Sequence, residues 1–460
     1  MFVNKLKIYC FLLFAIFFVF PKNIFAIYDP ASVPNNHFGM HVVDTSNLKE
    51  VSKLVGDYGY VTIVIQKGER DPKRWQDAFD GMRRLHLIPI IRIASAPIAG
   101  NNNVWEKPSV DEIDGWVSFL NSLNWVVKNR YVTIGNEPNH ANEWGGQIDP
   151  AGYAKYLSFF SRRLKEVNPD FFIMPAGLDA SAGNTRESMD ESLFLSQMIQ
   201  NDSHVFDFID GFASHSYPNP DFSGPGDAAG RGTVRTYDWE LNYLKFLGVS
   251  KNLPVFITET GWVHKTDTTA TDIGPKIEIA FTKVWSDKKI VAVTPFIFKY
   301  IDPPFDTFSW VNKEGNYYDF YQNVLNLQKT VGKPIQDYKA DVLTGIFPKI
   351  ATIRSNYNGI LIIKNIGQSI WIRDNLSIKN LQIKSIYPEN IEPGQIGVFF
   401  VAGKFPNIPG NYGVTIELSE SGEMFNNQFN FSTNLISPIP SIGDILNFLR
   451  NTVERKLRLK

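Results

Sequence analysis

Two glutamates that each follow an apolar run are the residues of this sequence best placed to do chemistry. Glu137 stands in Thr-Ile-Gly-Asn-Glu-Pro and Glu259 stands in Phe-Ile-Thr-Glu-Thr-Gly-Trp. Two carboxyl groups that flank one glycosidic bond can cleave it, one giving a proton and the other attacking or activating water. Alternatively, each carboxylate caps the following helix or pairs with a nearby Arg or Lys. Asn136, directly before Glu137, favours the catalytic interpretation.

The elements that must position these glutamates are predicted between residues 36 and 333. Near-continuous apolar runs, typical of buried parallel strands, alternate there with longer amphipathic stretches. Eight such units favour a (β/α)8 TIM barrel, an α/β fold, over an open doubly wound sheet. No glycine-rich phosphate fingerprint follows the first strand, which argues against a dinucleotide-binding fold. The predicted strands are His37–Val43, Tyr60–Ile65, Leu87–Ala94, Tyr131–Gly135, Phe171–Pro175, Phe208–Ser214, Pro254–Thr258 and Val291–Phe298.

The ends of these strands predict where a site would form. In a (β/α)8 barrel the loops after the strands build the site at one face. Glu137 and Glu259 close the fourth and seventh predicted strands, so we expect them to face each other across the mouth. His215 and Tyr217 follow the sixth strand and, two residues apart, share one face. The alternatives are a structural histidine at the barrel rim and a tyrosine that packs in its loop.

Three motifs carry a family resemblance. Asn-Glu-Pro at 136–138, His-Ser-Tyr-Pro at 215–218 and Thr-Glu-Thr-Gly-Trp at 258–262 follow predicted strands four, six and seven. Together they resemble glycoside hydrolase clan A, the retaining (β/α)8 glycosidases that include the family 5 and family 39 enzymes. The resemblance covers about residues 36 to 330.

The resemblance implies a role for each matching residue. Glu137 matches the general acid/base, and Glu259 matches the nucleophile that forms a covalent glycosyl-enzyme. Asn136 matches the residue that binds the sugar 2-hydroxyl group. Tyr217 matches the hydroxyl that orients the nucleophile, and His215 matches a substrate-side residue. The implied mechanism needs no metal and no cofactor.

Two departures put the particular family in doubt. Family 5 members usually carry an Arg after strand two and a Trp at the end of strand eight. Here the nearest arginine is Arg92 on strand three, and strand eight ends near Phe298 without a Trp. Trp310, in the following loop, is the alternative sugar platform, and Phe298 is another.

Other residues near the predicted mouth are candidates for the pocket. Trp144 and Trp262 lie in loops after strands four and seven, where aromatic faces can stack on sugar rings. Each is equally well explained as packing. His41 and Glu143 are further pocket candidates, without an assigned role for Glu143.

Composition and the N-terminus predict the compartment. The formal net charge of −1 leaves no basic surplus for a nucleic-acid partner. Residues 1–26 have a basic start, an apolar run and a small residue at the end, which predicts a signal peptide and a secreted or cell-surface location. An uncleaved anchor is the alternative. The single cysteine, Cys10, lies in this segment, so the rest of the chain has no disulfide.

The C-terminal part follows a different pattern. Between about 345 and 433 short alternating runs broken by Asn, Gly and Pro predict an all-β sandwich. Asn365, Gly367 and Trp371 in this stretch are similar to Ig-like accessory domains. Residues 441–460 predict a basic amphipathic helix, which can lie on an anionic membrane surface or on the protein itself.

The sequence thus predicts an exported retaining glycoside hydrolase whose partner is a β-linked saccharide or glycoconjugate. A catalytically inactive barrel that binds glycans at a cell surface is the first alternative, although a binder has no need of two carboxylates. An adhesive protein in which the sandwich acts is the second.

Overall fold

The computed structural model describes residues 27–264, 272–438 and 442–457. The predicted signal peptide, residues 1–26, lies outside the described residues. The chain divides into two compact units, with the boundary between Ile335 and Gln336.

Eight parallel strands form the centre of the first unit, counted over residues 27–264 and 272–335. They are β1 Gly39–Val42, β2 Gly59–Gln66, β3 Leu87–Ala94, β4 Arg130–Ile134, β5 Phe171–Pro175, β6 Phe212–His215, β7 Val255–Glu259 and β8 Ile290–Val293. Strands β1 to β5 form one hydrogen-bonded run and β6 to β8 form another. Parallel bridges from Asp179 to His215 and from Phe38 to Val293 join the two runs. The sheet is therefore a closed barrel, and the predicted fold is confirmed.

A helix follows each strand of the barrel. In the second of them, Asp71 caps the N-terminus by accepting hydrogen bonds from two backbone amides, and Pro72 occupies the first turn. Trp75, Phe79 and Met82 recur at helical spacing and are buried against the strands. The helices are α1 Leu48–Val55, α2 Pro72–Arg84, α3 Ile113–Ser122, α4 Pro150–Val167, α5 Glu191–Asn201, α6 Thr236–Phe246, α7 Ile273–Ile279 and α8 Asp319–Leu325.

The barrel interior is filled in layers. Tyr60, Tyr131, Phe172 and Phe256 form an aromatic floor, and Tyr131 lies 5.1 Å from Phe172 between ring centroids. Alternate residues of a strand share a face, so Thr62 is the inward residue of β2 that follows Tyr60. Its hydroxyl hydrogen-bonds the hydroxyl of Thr294, which directly follows β8. Above the aromatic floor the barrel interior thus becomes polar.

The sixth strand begins later than predicted. The backbone amides of Asp210 and Gly211 both donate to the carbonyl of Ile173, and a Cβ at Gly211 would lie 2.6 Å from the ring of Phe172. These two residues form an entry turn, so the strand starts at Phe212 and ends on His215. A hairpin of Pro97–Ile98 and Asn101–Trp105 after β3 was not predicted either.

The second unit is an all-β sandwich. Its strands are β9 Ala340–Ile346, β10 Ile350–Thr352, β11 Asn356–Asn365, β12 Trp371–Ile372, β13 Leu376–Ile378, β14 Gln382–Tyr387, β15 Asn390–Ile391, β16 Ile396–Lys404, β17 Gly410–Glu420 and β18 Glu423–Ile436. One sheet has the order β9-β11-β16-β14 and the other has the order β10-β18-β17-β13. Trp371 is fully buried between them, 5.1 Å from Phe425. The β-sandwich is confirmed, whereas its assignment to the Ig-like domains stays a prediction.

The chain ends in helix α9, Ile442–Leu457, within the predicted helical tail. Leu446 and Leu449 on it are exposed. Within residues 27–264, 272–438 and 442–457, no helix combines the length and the apolar character that crossing a membrane requires. Contact of the tail with a membrane surface stays a prediction.

Candidate active site

The loops after the barrel strands surround a cavity of about 310 Å³. Its wall combines carboxylates, one arginine and several aromatic rings, as in ligand pockets where a few polar groups converge on a largely apolar lining. The residues that the sequence predicted for the pocket and that line this cavity are Arg92, Asn136, Glu137, Glu143, Trp144, Tyr217 and Glu259.

A tight turn after β4 presents Glu137 to the cavity. Gly135 has φ +92° and Glu137 has φ +32°, so the chain passes twice through left-handed conformations that favour glycine. A non-glycine residue in this region is strained and must be held by its surroundings. The backbone amide of Glu137 donates to the carbonyl of Gly177 at 3.0 Å, which ties the turn to the loop after β5.

His215 connects the two predicted catalytic carboxylates. Its Nδ1 lies 2.8 Å from Oε1 of Glu137 and 3.8 Å from Oε2 of Glu259. Burial lowers the pKa of His215, but the charge of Glu259 and the hydrogen bond with Glu137 more than offset this, so its pKa lies above the usual value. A Cβ at Gly177 would lie 2.2 Å from the imidazole ring, so the ring requires glycine there.

Glu259 is held through both of its carboxylate oxygens. Arg92 donates to Oε1, and the hydroxyl of Tyr217 donates to Oε2 at 3.0 Å. The same Arg92 nitrogen also donates to Oδ1 of Asn136 at 2.8 Å. Burial would raise the pKa of Glu259, but the positive charges of His215 and Arg92 hold it well below its usual range. The carboxylate is therefore ionised and fixed in orientation.

His41 lies behind Glu259 and does not line the cavity. Its Nε2 is 3.8 Å from Oε1 of Glu259, and the ring packs edge-on against Phe296. Burial lowers the pKa of His41 to about 3, so the ring is neutral at ordinary pH. His41 therefore lies next to Glu259 and does not reach the cavity, and a role for it in substrate binding stays a prediction.

The three titratable groups lie close enough to act together. One oxygen of Glu137, one ring nitrogen of His215 and one oxygen of Glu259 all lie within 4.8 Å of one another. These are also metal-ligand types, which the sequence spacing did not indicate. Arg92 already pairs with Glu259, and the raised pKa of His215 favours the protonated ring, which cannot bind a metal. The group is better suited to proton transfer.

The aromatic wall differs from the one expected. Trp262 and Trp310 are 3% and 2% exposed, and neither lines the cavity. The indole of Trp262 donates to the carbonyl of Gly224, and Trp310 packs edge-on against Phe320. Both belong to the hydrophobic core of the first unit. The rings that line the cavity without having been predicted to do so include Trp105, Phe222, Phe296, Phe305 and Phe308.

Trp144 and Phe298 complete the set of aromatic candidates. Trp144 lines the cavity but is 2% exposed and packs against Tyr153, so it acts mainly as packing. Phe298 is buried and does not line the cavity. Trp105, by contrast, is half-exposed and comes from the hairpin after β3, for which no sequence pattern gave a signal.

Besides Glu112, Glu137 and Glu259, two more acidic residues line the cavity among the described residues. Asp179 follows β5 and pairs with His140 at 2.9 Å. Buried Asn139 binds the loop of Asp179 by donating to its carbonyl and by accepting from its amide. The other is Glu143, on the turn Ala141–Glu143 that follows the fourth strand.

The fold and these side chains define a (β/α)8 barrel with paired carboxylates at the carboxyl ends of its strands. No protein-family model and no curated protein matches the sequence. Among solved structures, the chain is similar to a monomeric beta-xylosidase from Caulobacter crescentus CB15, with 12% identity over 72% of this chain and 74% of that chain and a TM-score of 0.45.

Two other solved structures are similar to the chain. One is the GH39 enzyme from Xanthomonas axonopodis pv. citri, with 12% identity over 75% of this chain and 77% of that chain and a TM-score of 0.44. The other is the endo-1,4-beta-mannanase from Rhizomucor miehei, with 13% identity over 64% of this chain and 94% of that chain and a TM-score of 0.41. At this level of identity the likeness says nothing about the substrate of this chain.

Proposed function

We propose that this chain is a glycoside hydrolase that cleaves β-linked saccharides or glycoconjugates with retention of configuration. The observation that carries the proposal is the approach of the Glu137 and Glu259 carboxyl oxygens to within 4.8 Å at the wall of one cavity. Retaining pairs are about 5–5.5 Å apart, whereas inverting pairs leave about 6.5–9.5 Å for a water molecule.

The proposed reaction has two displacements. In the first, a Glu259 oxygen attacks the anomeric carbon while Glu137 gives its proton to the departing glycosidic oxygen. In the second, Glu137 takes a proton from water, which attacks the same carbon and releases Glu259. Arg92 and Tyr217 support this role because they keep Glu259 ionised and oriented.

The proposal includes an extracytoplasmic location. It is supported by the basic start and apolar run of residues 1–26. Sequencing the N-terminus of the protein recovered from the culture medium or the cell surface tests it, because an intact Met1 in a cytosolic fraction would contradict export.

The catalytic proposal is tested by trapping the intermediate. A panel of activated 2-deoxy-2-fluoro β-glycosides is incubated with the enzyme, and the labelled peptide is identified by mass spectrometry. We expect the sugar on Glu259 and no label on the Glu259→Gln variant. Proton NMR of the first product formed should show the β-anomer.

Glu137 has a separate test. Glu137→Ala should retain activity on substrates with good leaving groups, lose it on poor ones and regain turnover with azide, giving a β-glycosyl azide. An α-anomer as first product, or label on another residue, would contradict the assignment. Wild-type protein that binds saccharides without cleaving any would favour the glycan-binding alternative.

A further inference from the structure

Five carboxylates line the cavity: Glu112, Glu137, Glu143, Asp179 and Glu259. Four of them have a cationic or imidazole partner in the protein. Glu112 pairs with Lys67 at 3.2 Å, Glu137 with His215 at 2.8 Å, Asp179 with His140 at 2.9 Å, and Glu259 with Arg92. Among the described residues, Glu143 pairs with no Lys, Arg or His.

The position of Glu143 leaves it open to a ligand. It is half-buried, and the turn that carries it is fixed by backbone hydrogen bonds from Glu143 to His140 and from Ala141 to Glu187. Its polar neighbour is the side chain of Asn136, which is neutral. A carboxyl group in a rigid turn that faces a cavity and forms no salt bridge among the described residues has hydrogen-bonding capacity to spare.

The charge of the cavity restricts what can approach this group. Arg92 is the one Lys or Arg among the described residues lining the cavity, and its charge is directed at Glu259. Burial, and then the negative charge of Glu137, raise the pKa of Glu143 to about 7. Above about pH 7, where Glu143 is ionised, an anionic group on the sugar would meet the negative charges of Glu143 and Glu137, whereas a hydrogen-bond donor would find an acceptor.

We infer that Glu143 binds a hydrogen-bond-donating substituent of the glycone, a hydroxyl or an ammonium group, and excludes sugars that carry a carboxylate. The inference rests on the proposed function, since it assigns the substrate class of the same cavity. It makes the glycone a neutral or amino sugar and makes uronic acids poor substrates. Glu143 is a specificity residue and takes no part in bond cleavage.

The test is run above pH 7, where Glu143 is ionised, and compares three aryl β-glycosides: a glucoside, a glucosaminide and a glucuronide. Wild-type enzyme should prefer the uncharged or amino sugar over the uronide by at least about tenfold in kcat/KM. Glu143→Gln keeps the shape and removes the charge, so it should reduce this preference severalfold, mainly through KM. Glu187→Gln, an exposed carboxylate on the neighbouring loop, is the control and should leave the ratio unchanged.

Calorimetric binding of the corresponding methyl glycosides separates this inference from the catalytic proposal. Discrimination in binding without any turnover would sink the catalytic proposal and support the role of Glu143. Equal acceptance of the uronide by the wild type would overturn the inference. So would a Glu143→Gln variant that melts at the wild-type temperature and keeps the wild-type preference in kcat/KM. Failure of all three sugars to bind would also overturn it.

Discussion

The hydroxyl of Tyr217 donates a hydrogen bond of 3.0 Å to Oε2 of Glu259, while Arg92 occupies the other oxygen. Each carboxylate oxygen of Glu259 thus accepts a hydrogen bond, and the residue is 7% exposed. A carboxylate held in this way needs little reorganisation free energy when it attacks, because its orientation and charge are set before the substrate binds.

Replacing Tyr217 by Phe should lower kcat by roughly 10- to 100-fold. The variant loses one hydrogen bond to a charged group, a contribution of about 1.5–3 kcal/mol. That bond also lowers the pKa of Glu259, so its loss should move the acidic limb of the pH–rate profile to higher pH. Tyr387→Phe, an exposed tyrosine in the second unit, is the control; an equal loss there would refute the assignment.

Arg92→Met should abolish most activity and destabilise the barrel. The side chain is 13% exposed and pairs with a nearly buried carboxylate, and removing one partner of such a pair costs about 3–5 kcal/mol. Thermal melting and kcat/KM measure the two effects. Arg163→Met, which breaks an exposed cluster with Asp114, should change the melting temperature little. A melting temperature unchanged in Arg92→Met would contradict the buried pair.

Activity should fall on the alkaline side as His215 loses the positive charge that lies between the Glu137 and Glu259 carboxylates. Because the pKa of His215 is raised in the folded protein, the stabilisation that its charge provides is complete below its ordinary value of about 6.5 and disappears as pH rises through the raised value. The basic limb of kcat/KM should therefore lie above about pH 6.5. Asparagine cannot carry this proton, so His215→Asn should remove the basic limb. A pH profile identical to that of the wild type would show that His215 is not the origin of this limb.

A buried acidic pair behind β6 predicts a further loss of stability as pH rises. Glu191 and Glu240 are both fully buried, and burial raises the pKa of Glu240 to about 7 and that of Glu191 well above its usual value. Folded protein thus holds protons that unfolded chain releases above about pH 4.3. Stability should fall with rising pH, by up to about 1.4 kcal/mol per pH unit for each proton.

Glu240→Gln should flatten that dependence. Denaturant unfolding at several pH values between about 5 and 8 gives the slope. Glu314→Gln, an exposed carboxylate, should leave the slope as in the wild type. A wild-type stability that rises over this range would refute protonation of the pair.

Trp371→Ala should destabilise the sandwich by about 3–5 kcal/mol, since it empties a fully buried site beside Phe399 and Phe425. Calorimetry should show a lower melting temperature for the second unit. Tyr387→Ala, whose ring is 75% exposed, should change it little. Loss of glycan binding by Trp371→Ala with an unaltered melting transition would instead favour a binding platform.

The sequence by itself determined the barrel and the two strand-end glutamates. The predicted bounds of the strands Leu87–Ala94 and Phe171–Pro175 coincide with the observed ones. The reason is local: a strand buried on both faces must be continuously apolar, and the first polar residues after it lie at the barrel mouth. A resemblance in three short motifs then assigned expected roles to Glu137 and Glu259.

Only the tertiary structure decided which groups surround those glutamates. Arg92 and Glu259 are 167 residues apart, and their pairing depends on how the barrel closes. Trp262 and Trp310 lie on loops of the expected face, yet they fold into the core, while Trp105 reaches the cavity from an unpredicted hairpin. Loop packing depends on contacts between distant segments, so no local pattern encodes it, and the same holds for the lone carboxylate of Glu143.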